Sequence, residues 1–267
     1  MLVKEKKINY LISINNIEDI NDFKKVGITT FLFPLKDYSI GYESYYTKDE
    51  INSINEEKYV LVNRLLNTKE IEEIKEILPK LKCKGIIFED VGLINVLKDA
   101  PFEKILFMNH FNCNSYSINY NLEYVDSVFV SNELTYNEYK IITEKVNKKV
   151  ILNVFGYNQI MYSKRKLLTN FNKEFNLKET YDNIIKDQNS DVKFKIIEQN
   201  DETIILSSKI FDGRRLLDLN NVKYFYINSS FISKEDIIKF INNEDVNGTD
   251  DGFLEKATIY KVKGERK

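Results

Sequence analysis

The chain has 267 residues, with 39 Lys and Arg against 41 Asp and Glu and a formal net charge of -2. That balance excludes a global attraction to nucleic acid or anionic membrane, so any RNA contact has to be local. Cys83 and Cys113 are its 2 cysteines, and without paired-motif spacing they exclude a disulfide framework and a cysteine-ligated zinc site.

The first apolar run ends by Ile14, too short for a signal peptide or a membrane span, which predicts a cytoplasmic protein with no membrane partner. Eight apolar runs then read as strands: Ile8–Ile14, Ile28–Phe33, Lys58–Leu65, Gly85–Phe88, Lys104–Met108, Ser127–Val130, Lys149–Val154 and Val222–Ile227. Between them, helical patterns cover Ile17–Lys25, Thr47–Ile54, Thr68–Leu81, Val91–Leu97, Thr135–Val146 and Ser233–Asn242, with Thr68 and Ser233 read as caps. Strands alternating with helices predict βα units and a mainly parallel sheet, here a (β/α)8 TIM-like barrel. Seven strands precede residue 157, so residues 157–221 form an α+β insertion between strands seven and eight, a lid subdomain. Within it Ser163–Leu177 is helical and basic, and Asp191–Ile210 forms two β runs. Residues 1–156 carry strands one to seven and 222–243 the last strand and helix. The tail, 244–267, carries an edge strand at Thr258–Val262.

In such a barrel the site lies at the C-terminal strand ends. The residues there are polar: Asn15, Asn63, Arg64, Glu89, Asp90, Asn109, His110, Asn132, Glu133, Tyr157, Asn228 and Ser229. Each alone also suits an ordinary turn or cap; together they predict a ligand-accepting rim. His110 is the single histidine, which excludes a two-His metal site and suits acid–base work near neutral pH. Glu133 is placed to orient His110, to pair with Arg64 or to cap the helix from Thr135. Arginine is scarce, so Arg64 at a strand end and Arg165 suggest a planar donor for a carboxylate or phosphate; the competing use of Arg64 is an ion pair with Glu89 or Glu133. Lys164-Arg-Lys166 among Tyr157, Tyr162 and Phe171 suits an RNA backbone or a solvated helix face.

The stretch Val154-Phe-Gly-Tyr-Asn-Gln-Ile-Met-Tyr-Ser-Lys-Arg-Lys-Leu-Leu-Thr-Asn170 resembles the signature of the U32 peptidases, or collagenase-like proteases, roughly Glu-Val-Phe-x-x-Gly-x-x-Cys-x-x-Tyr-Ser-x-Arg-Cys-x-Leu-Ser. Phe155, Gly156, Tyr162, Ser163, Arg165 and Leu168 match, the two cysteine positions hold Gln159 and Lys166, and the position of the leading Glu holds Asn153. Gly85-Ile-Ile-Phe-Glu-Asp-Val-Gly-Leu93 and Val130-Ser-Asn-Glu-Leu134 are similar to two further family segments, and Gly252–Val262 to a tail of short bacterial members. The resemblance implies a barrel, and several relatives serve hydroxylation of tRNA or rRNA nucleotides. Some carry an iron–sulfur cluster, which needs four cysteines, so no cofactor is expected here. The expected function is binding of a small anionic organic ligand in tRNA modification, as accessory to a cluster-bearing paralogue. Expected roles are acid–base for His110 and Glu133, and ligand binding for Asn63, Arg64, Asp90, Tyr162, Ser163 and Arg165. The alternatives are a peptidase, for which no Gly-x-Ser-x-Gly elbow accompanies Ser163, and a non-catalytic scaffold.

Overall fold

The computed structural model describes residues 7–108, 110–178, 184–186 and 189–256. Its strands begin with β1 (Tyr10–Ser13), β2 (Thr30–Pro34), β3 (Glu57–Val62), β4 (Gly85–Phe88), β5 (Glu103–Leu106) and β6 (Ser127–Val128). Each pairs in parallel with the next. β7 (Val150–Ser163) leads through β8 (Ile184–Lys186), β9 (Lys193–Gln199) and β10 (Glu202–Asp212) to β11 (Val222–Ile227), which pairs in parallel with both β7 and β1. A short β12 (Thr249–Asp250) lies beside β10. The molecule is thus a mixed α/β fold built on one large sheet with helices packed against it.

The helices are α1 (Ile20–Lys25), α2 (Lys48–Ser53), α3 (Thr68–Ile77), α4 (Leu93–Val96), α5 (Ser115–Asn121), α6 (Tyr136–Lys145), α7 (Leu167–Glu174) and α8 (Lys234–Ile241). Reciprocal capping boxes start α2 (Thr47 with Glu50), α3 (Asn67 with Glu70) and α6 (Thr135 with Glu138), each satisfying backbone donors that a helix start leaves free. The cap of α3 is Asn67, not Thr68: Asn67 is the extended residue, and its side chain accepts the Glu70 N–H. Helix α5 has no counterpart in the sequence pattern, because Ile118 is its one buried residue. The edge strand expected at Thr258–Val262 lies outside the described residues.

Alternation along the strands separates two cores. Ile12, Phe31, Val60, Ile86, Leu106 and Val128 face the helices, whereas Leu11, Leu32, Leu61, Ile87, Ile105, Phe129, Ile151 and Tyr226 pack on one another from the other face. Such contacts reach across the sheet: the rings of Tyr59 on β3 and Tyr224 on β11 lie 5.7 Å apart, and those of Phe129 and Tyr226 5.4 Å. The sheet therefore curls. Closure is the point on which the barrel expectation is not met as a continuous ring. β6 is only 2 residues long, and one parallel bridge, Phe129 to Ile151, links it to β7, with the Val130 N–H donating to Ile151 O at 3.0 Å.

A polar group fills the end of the curled sheet at the strand N termini. The Tyr59 hydroxyl donates to Glu103 at 2.5 Å, Lys223 donates to the same carboxylate at 2.6 Å, and Lys84 donates to the Tyr224 hydroxyl at 3.1 Å. Gly85 makes room for this packing, since a Cβ there would stand 2.8 Å from the Tyr59 ring. At the opposite end β7 runs on beyond the parallel set and pairs antiparallel with β10. Gly156 sits where it does so, with a φ of +129, and a Cβ would come within 2.4 Å of Asn228 O. Both constraints admit only glycine. Gly156→Ala is expected to cost about 2 kcal/mol or more, read as a lower denaturant midpoint at unchanged slope.

Candidate functional site

Extending the inward-facing registers past the strand ends gives the composition of the mouth. Leu61 is followed two residues on by Asn63, Ile87 by Glu89, Ile105 by Phe107, Ile151 by Asn153 and Tyr226 by Asn228. An apolar interior therefore ends in a polar top layer. Tyr42 from the chain after β2, Tyr157 and Gln159 from β7, and Leu206 from β10 complete a small chamber with Asn63, Asn132, Asn153, Tyr226 and Asn228; its volume is about 30 Å³.

Most of the chamber's polar groups are satisfied internally. Asn63 accepts from Ile40 N at 2.9 Å and donates to Ile40 O at 3.0 Å. The hydroxyls of Tyr42 and Tyr226 share a hydrogen bond of 3.0 Å, and Asn153 Nδ2 donates to Asn158 Oδ1 at 2.6 Å. Asn228 Nδ2 donates to Tyr157 O at 3.4 Å while its Oδ1 accepts from Ser230 N at 3.1 Å. Among the described residues three buried side-chain atoms have no hydrogen-bond partner: Glu89 Oε2, Asn153 Oδ1 and Gln159 Nε2. Such groups are rare in folded proteins and mark positions where water or a ligand completes the structure. Burial, aided by the charge of Glu202, pushes the Glu89 carboxyl up to about 8, so near neutrality it is mostly the protonated acid.

A wider cleft of about 210 Å³ adjoins the chamber and shares Asn132 and Gln159 with it; Glu133, Phe194, Lys209, Phe253 and Lys256 are among its other walls. His110 is partly buried and places Nδ1 3.3 Å from Glu133 Oε1, so the expected orienting pair exists at the edge of this cleft. Its neighbour Asn109 lies outside the described residues.

Arg64 stands elsewhere, in the seam between the parallel strands and the insertion. Its Nε donates to Glu202 at 2.9 Å, one terminal nitrogen to Glu70 at 2.8 Å and the other to Asp37 O. Arg64 and Glu202 are 7% and 1% exposed, so this is a buried ion pair, made with partners other than the Glu89 or Glu133 that the sequence suggests. Tyr162 accepts from Leu65 N at 3.1 Å and Asp90 from Leu66 N at 2.8 Å; both fix the segment that carries Arg64. Burial holds the Tyr162 phenol well above its ordinary range. Ser163 sits in the β7–β10 ladder opposite Thr203. Arg165 is exposed and donates to Lys164 O at 2.8 Å. Among the described residues no ion pair joins the His110–Glu133 pair to Arg64 or Arg165.

Sequence reading places Glu89 on the rim as a partner for Arg64, notes Asn153 only as a signature position, and does not single out Tyr42, Glu202 or Tyr226. The alternation past each strand end was the available signal for Asn153 and Glu89. Tyr42 and Glu202 arrive from a loop and from the insertion, where no local pattern marks them.

Residues 47–237 match the model of peptidase family U32. The chain belongs to this family. A solved structure described as the U32 peptidase Mk0906 is similar in fold, with a TM-score of 0.55 and 12% identity, over 84% of this chain and 93% of that one. No curated protein sequence matches. The residues of this U32 member do not fit the iron–sulfur cluster of some relatives. Of the two signature positions, Gln159 lines the chamber and Lys166 is paired with Asp201 at 2.5 Å. Among the described residues no group of three or more His, Cys, Asp or Glu side chains is placed to hold a metal ion, nor is any helix long and apolar enough to cross a membrane. Protein purified anaerobically is expected to be colourless; visible absorbance with about four irons per chain would contradict this.

Proposed function

We propose that this U32 member is a cluster-free (β/α)8 barrel that binds a small organic molecule at its C-terminal mouth and serves nucleotide hydroxylation in tRNA, beside a cluster-bearing paralogue in the cytoplasm. The observation that carries the binding site is Gln159, which replaces a signature cysteine, lines the chamber and has a buried Nε2 without a hydrogen-bond partner. The barrel reading draws on the unbroken parallel order from β7 through β11 and β1 to β6 and on the Phe129–Ile151 bridge. The cations available to an anionic ligand, Lys209 and Lys256, line the cleft, not the chamber. A peptidase would need a base beside a nucleophile. Ser163 lies within the β7–β10 ladder opposite Thr203, and among the described residues no hydrogen bond joins it to His110, which pairs with Glu133 at the edge of the cleft, so the geometry favours the binding reading.

The test compares hydroxylated nucleosides, by mass spectrometry of digested tRNA, between the host strain and a strain lacking the gene. One hydroxylated nucleoside should disappear and return on complementation. An unchanged profile would remove the RNA reading.

A further inference from the structure

We propose that the chamber selects a neutral amide edge, as in a carboxamide, lactam or urea, over a carboxylate or an ammonium group; this rests on the mouth being the ligand site. The chamber wall leaves two polar atoms unmet, the acceptor Asn153 Oδ1 and the donor Gln159 Nε2. Asn153 is 5% exposed, and both residues project from β7 into the same small space. Of the other polar wall groups, Asn63, Tyr42, Tyr226 and Asn228 already bond within the protein, so the buried unmet pair that the chamber offers a ligand is one acceptor and one donor.

Charge decides which group matches them. Among the described residues no Lys, Arg, Asp or Glu lines the chamber. A carboxylate would accept from Gln159, but its second oxygen would meet the oxygen of Asn153 with no cation to offset the lost hydration. An ammonium would satisfy Asn153 and leave the Gln159 N–H unmet. An amide presents its carbonyl to Gln159 and its N–H to Asn153 and remains uncharged, meeting both at once.

Size points the same way. About 30 Å³ is room for little more than the end of a molecule, since a single water needs roughly 10–15 Å³ on the same measure. The remainder of the ligand then lies in the adjoining cleft of about 210 Å³, where Phe194 and Phe253 supply apolar surface. Gln159 belongs to both walls and marks the passage between them.

Hydrocinnamamide, hydrocinnamate and phenylpropylamine share a shape and differ in the terminal group. Titrated into the full chain and followed by calorimetry, the amide is expected to bind about tenfold or more tightly than either charged probe. Gln159→Met should abolish the preference without moving the melting temperature by more than a few degrees. Should that variant not fold, Gln159→Glu is the second test, and it should shift the preference toward the amine. Equal or tighter binding of hydrocinnamate to the native chain would overturn the inference. So would a crystal structure from an amide soak that has water alone in the chamber. The tRNA nucleoside comparison succeeds or fails independently of this titration, which separates failure of the amide selectivity from failure of the functional reading.

Discussion

Arg64→Ala is expected to destabilise the protein by about 3–5 kcal/mol, the usual cost of removing one partner of a buried ion pair. Glu202 is 1% exposed, and with Arg64 gone its charge would lie in the seam with no compensating cation, close enough to Glu89 to act on that carboxyl. Arg64 also ties Glu70 and Asp37 O to the same point. The insertion should loosen first, because Glu202 begins β10 while Arg64 follows β3. Hydrogen exchange should then show lost protection in β9 and β10 before the parallel strands. Replacing both residues by Leu should recover much of the loss, since a buried pair is often matched by apolar packing. If Arg64→Ala melts like the native chain, Arg64 does not hold the insertion.

The second large effect is a dependence of stability on pH that Glu89→Gln removes. The Glu89 carboxyl rises from its ordinary value of 4.5 to about 8, by burial first and by the negative charge of Glu202 second. A carboxyl raised in the folded state keeps a proton that the unfolded chain releases. Stability from this group is therefore present below about pH 4.5, falls as pH climbs toward about 8 and levels off above it, by the sign of proton linkage. Although Glu89 as a residue is partly exposed, its Oε2 is shielded, and the loss across this window is on the order of 3 kcal/mol. Gln keeps the shape and the neutrality without the proton. Glu89→Gln should match the native chain near pH 5 and exceed its melting temperature at pH 9. Parallel pH profiles for the two proteins would show that Glu89 ionises freely.

Short apolar runs bounded by polar residues, with helical patterns between them, were enough to place β4 and β11 at their observed ends and the other parallel strands within a few residues, β7 at its N-terminal end. Each such run is buried on both faces, and that burial leaves a local signal. The signature around Gly156 likewise carried the family, because a glycine at φ +129 pressed against Asn228 O is a backbone requirement written into one residue. The helix start at Ser233 was legible for a similar reason: the capping side chain and the Asp236 N–H that it accepts lie within four residues.

Where each side chain ended depended on contacts remote in the chain, and those only the tertiary structure decided. Arg64 reads as a ligand donor until β10 brings Glu202 against it from 138 positions away. Asn153 and Gln159 come to line one chamber only because Tyr42, Leu206 and Asn228, from three other segments, enclose them. The sequence by itself determined the direction of the parallel strands, since apolar runs separated by helical patterns encode βα units. The chamber, its neutrality and the proton on Glu89 arise from desolvation by distant segments, a quantity that no local pattern of residues contains.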